Sequence, residues 1–313
     1  MRLYRAVRAV TDADGDGPVD WSAAGTAAKA AVEAGDLTLS AGQRDGYATD
    51  IRDARQAVRR TAGVDFDLPE TVQVQHRHHW IDANVATFER LLSPIENRTA
   101  LVPDLARSMN TASVAVTLGF LGNNVLGQYD PLLLADGDPE LYFVHPNIES
   151  VAATLSVDRD RFRRWIAFHE VTHAAEFGAA PWLSTHLEER MQSALEDLTD
   201  GQFDRSAFQE LNTTMTAVEG YAELLMDRAF DREASDLRAK LDERRNDPGP
   251  IAGLLRRLLG FGMKREQYER GKAFFDAVAD ERGVEGAAAV WERPENLPTD
   301  AELDDPDLWL ARV

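Results

Sequence analysis

The stretch Trp165–Gly178, WIAFHEVTHAAEFG, sets the strongest condition on how this chain can fold. His169 and His173 are four residues apart, just over one helical turn, so on a helix both imidazoles project from the same face and can converge on one ion. Glu170 lies on the adjoining face, where it can reach a water on that ion without being a ligand. The flanking Phe162, Trp165, Ile166, Phe168 and Phe177 say that this helix is largely buried, and buried histidines need partners. Ser156 or Asp158 can cap its start, and Gly178 ahead of Pro181 marks its end. Two histidines leave a catalytic zinc site one protein ligand short. Some other element must therefore be brought alongside to supply it.

The chain has no cysteine. A disulfide framework, a cysteine-type zinc finger and a cysteine nucleophile are all excluded, and any metal site must be built from His, Asp and Glu. A third histidine in the frame H-E-x-x-H-x-x-G-x-x-H is also excluded, because Glu176 and Ala179 occupy the glycine and final histidine positions. The segment VEGYAELLMD offers the alternative. Glu219 and Glu223 stand one helical turn apart on a helix otherwise lined by Leu211, Met215, Val218, Leu225 and Met226. Carboxylates beside an apolar stripe are costly to bury without a cation. Glu219 is assigned as the third ligand. Glu223, with Asp227 one turn further on, is assigned to accept a hydrogen bond from a ligand histidine. Glu176 competes for the ligand role, but from seven residues beyond His169 it would have to reach back along its own helix.

Helical periodicity dominates the rest. WSAAGTAAKAAVEAG closes on Gly35 and SAGQRDGYATDIRDARQAVRRTAG on Gly63, each with a glycine past the helix end. ETVQVQ is a short strand candidate followed by a helix through WIDANVATFERLL, and ELYFVHPNI (Glu140–Ile148) is the best strand, ended by Pro146. Three helical segments follow from LSVDRDRF to LLMDRAF. Beyond Asp231 the chain is more charged, with an exposed loop at RRNDPGP and packing helices at IAGLLRRLLGF and QYERGKAFFDAVADERG. The acidic LPTDAELDDPD reads as surface, and LWLARV as a segment able to dock back. At 313 residues and 44% hydrophobic content, the chain can bury a large core. The organisation expected is an N-terminal helical segment over 1–70, a catalytic core over 71–235 and a C-terminal helical segment over 236–313, or all three in one domain.

A formal charge of −20 argues against nucleic acid, which is bound through clustered Lys and Arg. Only four of the 34 basic residues are lysines; this acidity points to a halophilic, salty cytoplasm and to solubility rather than to partners. MRLYRAVRAV lacks the apolar core of a signal peptide. SVAVTLGFLGNNVLG is too short and too interrupted to span a membrane. The expectation is a cytoplasmic protein without a membrane partner.

Two segments imitate metal sites. Asp12, Asp14 and Asp16 followed by Gly17 match the first half of a calcium loop, but Ala23 stands where a bidentate glutamate is needed and Pro18 stiffens the middle. In HRHHW, His76 and His78 would share a face if the preceding strand continued that far, and a second metal site would then be available. No phosphate loop, dinucleotide fingerprint or nucleophile elbow is present.

HEVTHAAEFGAAPWLSTHL and EGYAELLMD, with VLGQYDPLLL and YFVHPNI upstream, resemble the zincin-like family of zinc metalloproteases or hydrolases associated with coenzyme F-420 (deazaflavin) biosynthesis. The similarity covers roughly Val64 to Asp227. The resemblance implies a mainly α, zincin-like α+β fold: a helical body with a small β element beside the H-E-x-x-H helix. It also implies a Zn2+ site at His169, His173 and Glu219, with Glu170 catalytic. The fourth position of such an ion is open to water, and Glu170 takes the water's proton as it attacks a carbonyl carbon. The implied enzyme is a zinc metallopeptidase or amide hydrolase acting on a peptide or amide. His186 and His145 are candidate donors to the oxyanion; Tyr221, two residues from Glu219, points away. A strand edge beside the active helix binds an extended peptide in related zinc folds, and the segment with Tyr142, Phe143 and His145 is the candidate here. The competing reading is a non-catalytic accessory or scaffold protein of the same fold in deazaflavin metabolism.

Overall fold

In the computed structural model, the described residues are 2–13, 17–69, 72–92, 103–130, 139–200, 205–230, 237, 240 and 265–313. RRNDPGP and IAGLLRRLLGF lie outside them, as do Asp14 and Asp16. Within them the chain is mainly helical with one three-stranded sheet. The order is α1 (Arg2–Thr11), α2 (Trp21–Ala31), α3 (Ala41–Ala62), β1 (Val72–Gln75), α4 (Arg77–Leu92), α5 (Pro103–Asn124), β2 (Gly127–Asp130) and β3 (Glu140–Val144). Then come α6 (His145–Leu155), α7 (Arg159–Ala179), α8 (Leu183–Asp200), α9 (Arg205–Ala229), α10 (Arg265–Ala287), α11 (Asp300–Asp304) and α12 (Pro306–Arg312).

The helix ends follow local side-chain chemistry. Ser40 and Gln43 form a reciprocal capping box at the start of α3, and Gly63 ends it in the left-handed conformation at φ 68°. Of the two proposed caps of the histidine helix α7, Asp158 is the one used: its side chain accepts from the amide of Arg161. Ser156 instead ends α6. α2 stops at Ala31, short of Gly35.

Two expectations about strands are corrected. The strand from Glu140 ends at Val144, and His145 already begins α6, because Pro146 in the first turn of a helix needs no amide partner. β1 ends at Gln75, so His76 and His78 do not lie on a strand; the ring Nδ1 of His76 accepts from the amide of His79 at the start of α4.

The sheet order is β1-β3-β2, parallel on one side of β3 and antiparallel on the other. The central β3 is paired along both edges. One large apolar core gathers residues from Tyr47 to Trp309, including Phe143, Phe162, Phe168, Tyr221, Phe274 and Trp291. A second cluster joins α2, α4 and α5 through Trp21, Trp80, Ile81 and Leu118. α7 packs against α3, α6, α9 and β2, which explains why it is buried on most sides from Phe162 to Glu176. The segment LWLARV docks back: Trp309 is fully buried and its indole donates to the carbonyl of Asn296 at 2.7 Å.

α9 and α10 approach each other unusually closely. A Cβ at Gly220 would stand 2.4 Å from the carbonyl carbon of Gly271, and one at Gly271 would stand 2.3 Å from the carbonyl oxygen of Thr216. Only glycine at both positions allows the two backbones to touch here. Among the described residues, no helix is long and apolar enough to cross a membrane.

Candidate metal centre

α7 presents His169 and His173 on one face, as their spacing requires. Their Nε2 atoms face each other at 3.2 Å, with the rings edge to face. α9 crosses beside them and delivers Glu219. A ligand atom from each of His169, His173 and Glu219 lies within 4.8 Å of the other two. Among the described residues these are the ones grouped in this way.

The donors suit a divalent cation. Two imidazole nitrogens bound tetrahedrally at ~2.0–2.1 Å from zinc are about 3.3 Å apart, close to the spacing that the two Nε2 atoms adopt. The Oε2 atom of Glu219 is buried without a hydrogen-bond partner, a costly state that a cation relieves. Nitrogen and carboxylate donors without thiolate are the set expected of a catalytic zinc site.

Glu170 sits beside this group and is anchored from the sheet. The amide of Tyr129 donates to its Oε2 at 2.9 Å. The direction of that amide follows from the antiparallel register. The amide of Val144 donates to the carbonyl of Leu126, so alternate β2 residues point into the ladder, while Gly127 and Tyr129 turn their backbone groups outward. A Cβ at Gly127 would lie 2.6 Å from Cγ of Glu170. The free edge of β2 is thus the surface against which the Glu170 side chain rests. Burial pushes the Glu170 carboxyl up to about 7, against the pull of His173 and the Tyr129 hydrogen bond.

Glu176 is fully buried, and its Oε2 lies 2.8 Å from Nδ1 of His173. Burial disfavours a charged imidazole, yet the neighbouring Glu176 and Glu219 carboxylates raise the pKa of His173 above its ordinary value. A carboxylate on Nδ1 of His173 is therefore supplied by Glu176, considered from sequence only as a competing ligand. Asp227 forms an ion pair with Lys272 of α10 at 2.9 Å, which draws it away from the role assigned to it. Glu223 is buried one turn beyond Glu219.

The remaining candidates sit elsewhere. His186 packs edge-on against Trp182, and its charged neighbours are Arg190, Glu189 and Glu210, none of them in the cluster. His145 is buried with Nδ1 3.0 Å from the hydroxyl of Tyr47, in a contact of α6 with α3. The Tyr142–Phe143 strand cannot accept a peptide by main-chain pairing, because β1 and β2 already occupy both of its edges. The edge beside α7 belongs to β2. Tyr221 is turned into the core against Phe275 and Trp291, as expected of a residue facing away from the His169–His173–Glu219 group. His78 places Nε2 2.9 Å from the carbonyl of Val32, and His76 stacks on His79.

Sequence reasoning did not find Gly127 or Tyr129. GQYD is a four-residue strand with glycine and aspartate at its ends, which carries almost no strand signal. The partnership of Glu176 with His173 had a signal, the i,i+3 spacing that makes neighbours on a helix.

The comparisons agree with this geometry. The family profile of the zincin-like metallopeptidases matches residues 19–204 and 197–310. A crystal structure from Chloroflexus aurantiacus, described as a "putative hydrolase with a novel fold", aligns with a TM-score of 0.75 at 31% sequence identity, over 99% of this chain and 97% of that one. No curated protein matches. By that profile, which spans nearly the whole chain, this protein belongs to the zincin-like metallopeptidase family.

Proposed function

We propose that the protein is a zinc-dependent hydrolase of peptide or amide bonds, with His169, His173 and Glu219 as ligands and Glu170 as general base. The observation that carries this reading is the meeting of three donor atoms from two helices with a buried carboxylate held beside them. When bound, a zinc ion supplies a Lewis acid for the carbonyl of the scissile bond. Glu170 does the proton work. With Oε2 fixed by the Tyr129 amide, Oε1 is left to take a proton from the attacking water and pass it to the leaving amine.

Metal analysis of protein purified without added zinc, run beside wild type and Glu170→Gln on a peptide library, tests the reading. Stoichiometric zinc with cleavage lost in Glu170→Gln is expected. Zinc without hydrolysis of any peptide or amide would favour the accessory reading, and a protein that binds no zinc would end the hydrolase reading.

A further inference from the structure

Glu176 has no place in the mechanism above, yet it is the most deeply buried carboxylate near the metal centre, with no exposed surface at all. An isolated ionised carboxylate in such a position is very costly, so its hydrogen bond has to be accounted for. The bond runs to Nδ1 of His173 at 2.8 Å. The other nitrogen of that ring, Nε2, is the one that faces His169 at 3.2 Å. The two ring nitrogens point in widely different directions, so a carboxylate on Nδ1 cannot share an ion that sits at Nε2. Its own Oε1 is buried toward α9, where the backbone of Ala222 favours the charged form and the hydroxyl of Tyr221 lies within electrostatic reach.

From this geometry we infer that Glu176 is a positioning residue: it accepts the Nδ1–H of His173, fixes the tautomer that leaves Nε2 bare, and aims that nitrogen at the ion. The inference rests on the metal site proposed above. Three features fit it. Glu176 is one helical turn beyond His173, so the bond needs no other element to form and is set as soon as α7 is. Without such a partner, the proton of a neutral imidazole can sit on either nitrogen, and half of the coordination geometry would be left to chance. Carboxylate partners of this kind orient ligand histidines and raise their basicity, and their loss typically costs ~10–100-fold in metal affinity.

The test measures zinc affinity by competition with a chromophoric chelator, and the absorption spectrum of the cobalt(II)-substituted protein, for wild type, Glu176→Ala, Glu176→Gln and Glu219→Ala. Glu176→Ala is expected to keep one zinc per chain, bound ~10–100-fold more weakly, with an altered cobalt spectrum. Glu176→Gln, which still offers an acceptor to Nδ1–H but no charge, should fall between it and wild type. Glu219→Ala should lose more than either. Wild-type affinity and spectrum in the alanine variant would overturn the inference while leaving the metal site intact. A loss equal to that of Glu219→Ala would overturn it by making Glu176 a ligand. If the alanine variant does not fold, the glutamine variant decides, and unchanged binding there overturns the inference. A wild-type protein that takes up no zinc removes the metal reading and this one with it.

Discussion

His169 and His173 turn their Nε2 atoms toward each other and toward Glu219, whereas His76 and His78 direct ring nitrogens at the backbone. Both groups hold histidines at close spacing, and both stand on or beside a helix. The difference lies in where on the helix they fall and what faces them. Four residues apart in the middle of a buried helix, two imidazoles share a face and have no free backbone group to bond. At a helix start, the amides are unpaired, and a ring nitrogen at the capping position takes one of them, as His76 does with His79. The surrounding charge differs as well. Glu170, Glu176 and Glu219 surround His173. Asp82, a carboxylate acting on the other group, is already paired with Lys29 at 2.5 Å. Histidine spacing alone does not assemble a three-donor group; here burial and a carboxylate with an unpartnered oxygen complete it.

The largest effect that would break this contrast is on metal content. His173→Ala or Glu219→Ala should abolish stoichiometric zinc, whereas replacing His76, His78 and His79 together by alanine should leave one zinc per chain, by elemental analysis. Zinc lost from the triple variant would show that both groups bind metal. Next comes the base. Gly127→Ala sets a methyl group 2.6 Å from Cγ of Glu170 and must displace the carboxylate. Hydrolysis should fall roughly 10–100-fold, since a positioned base contributes ~10²–10⁴, while zinc stays bound; unaltered turnover would mean that β2 does not position Glu170. A smaller effect is expected for His78→Ala, which leaves the carbonyl of Val32 without its side-chain donor. About 1 kcal/mol is lost, a fall of a few degrees in Tm, with zinc affinity unchanged.

The smallest effect is on acid sensitivity. Burial, assisted by His79, lowers the pKa of His76 in the fold. The unfolded chain therefore binds this proton more readily. The contribution of His76 to stability is complete above its ordinary value of 6.5 and is eroded as pH falls below it. His76→Asn, which keeps a capping side chain, should lose slightly less Tm than wild type between pH 7.5 and 5.5. A larger loss in the variant would reverse the sign and contradict the burial argument.

Much of the site was legible because it is written in helical spacing. The pairing of His169 with His173, the burial of α7 and the choice of Glu219 all follow from periodicity and from the cost of a carboxylate on an apolar stripe. The mainly helical body with one small sheet was legible for the same reason. What was not legible depends on contacts between segments far apart in the chain. Tyr129 meets Glu170 across 41 residues, and nothing in GQYD announces it. The strand was sought at Tyr142 and Phe143 because those residues have the stronger β propensity, but strong propensity marks a buried central strand as readily as an edge. Asp227 was assigned by its spacing from Glu223, and its position does share that helix; the nearby Lys272 of α10 decided its partner instead.

The contact of Gly220 with Gly271 has a consequence for how the protein matures. All three residues of the candidate metal group are synthesised by residue 219, so a nascent chain holds every donor before its last third exists. The helix that carries Glu219 is nevertheless seated by α10, whose backbone presses against the residue next to it. On the proposed reading, metal uptake is expected to wait for the late C-terminal segment, and a chain truncated before α10 should bind zinc more weakly than the full chain.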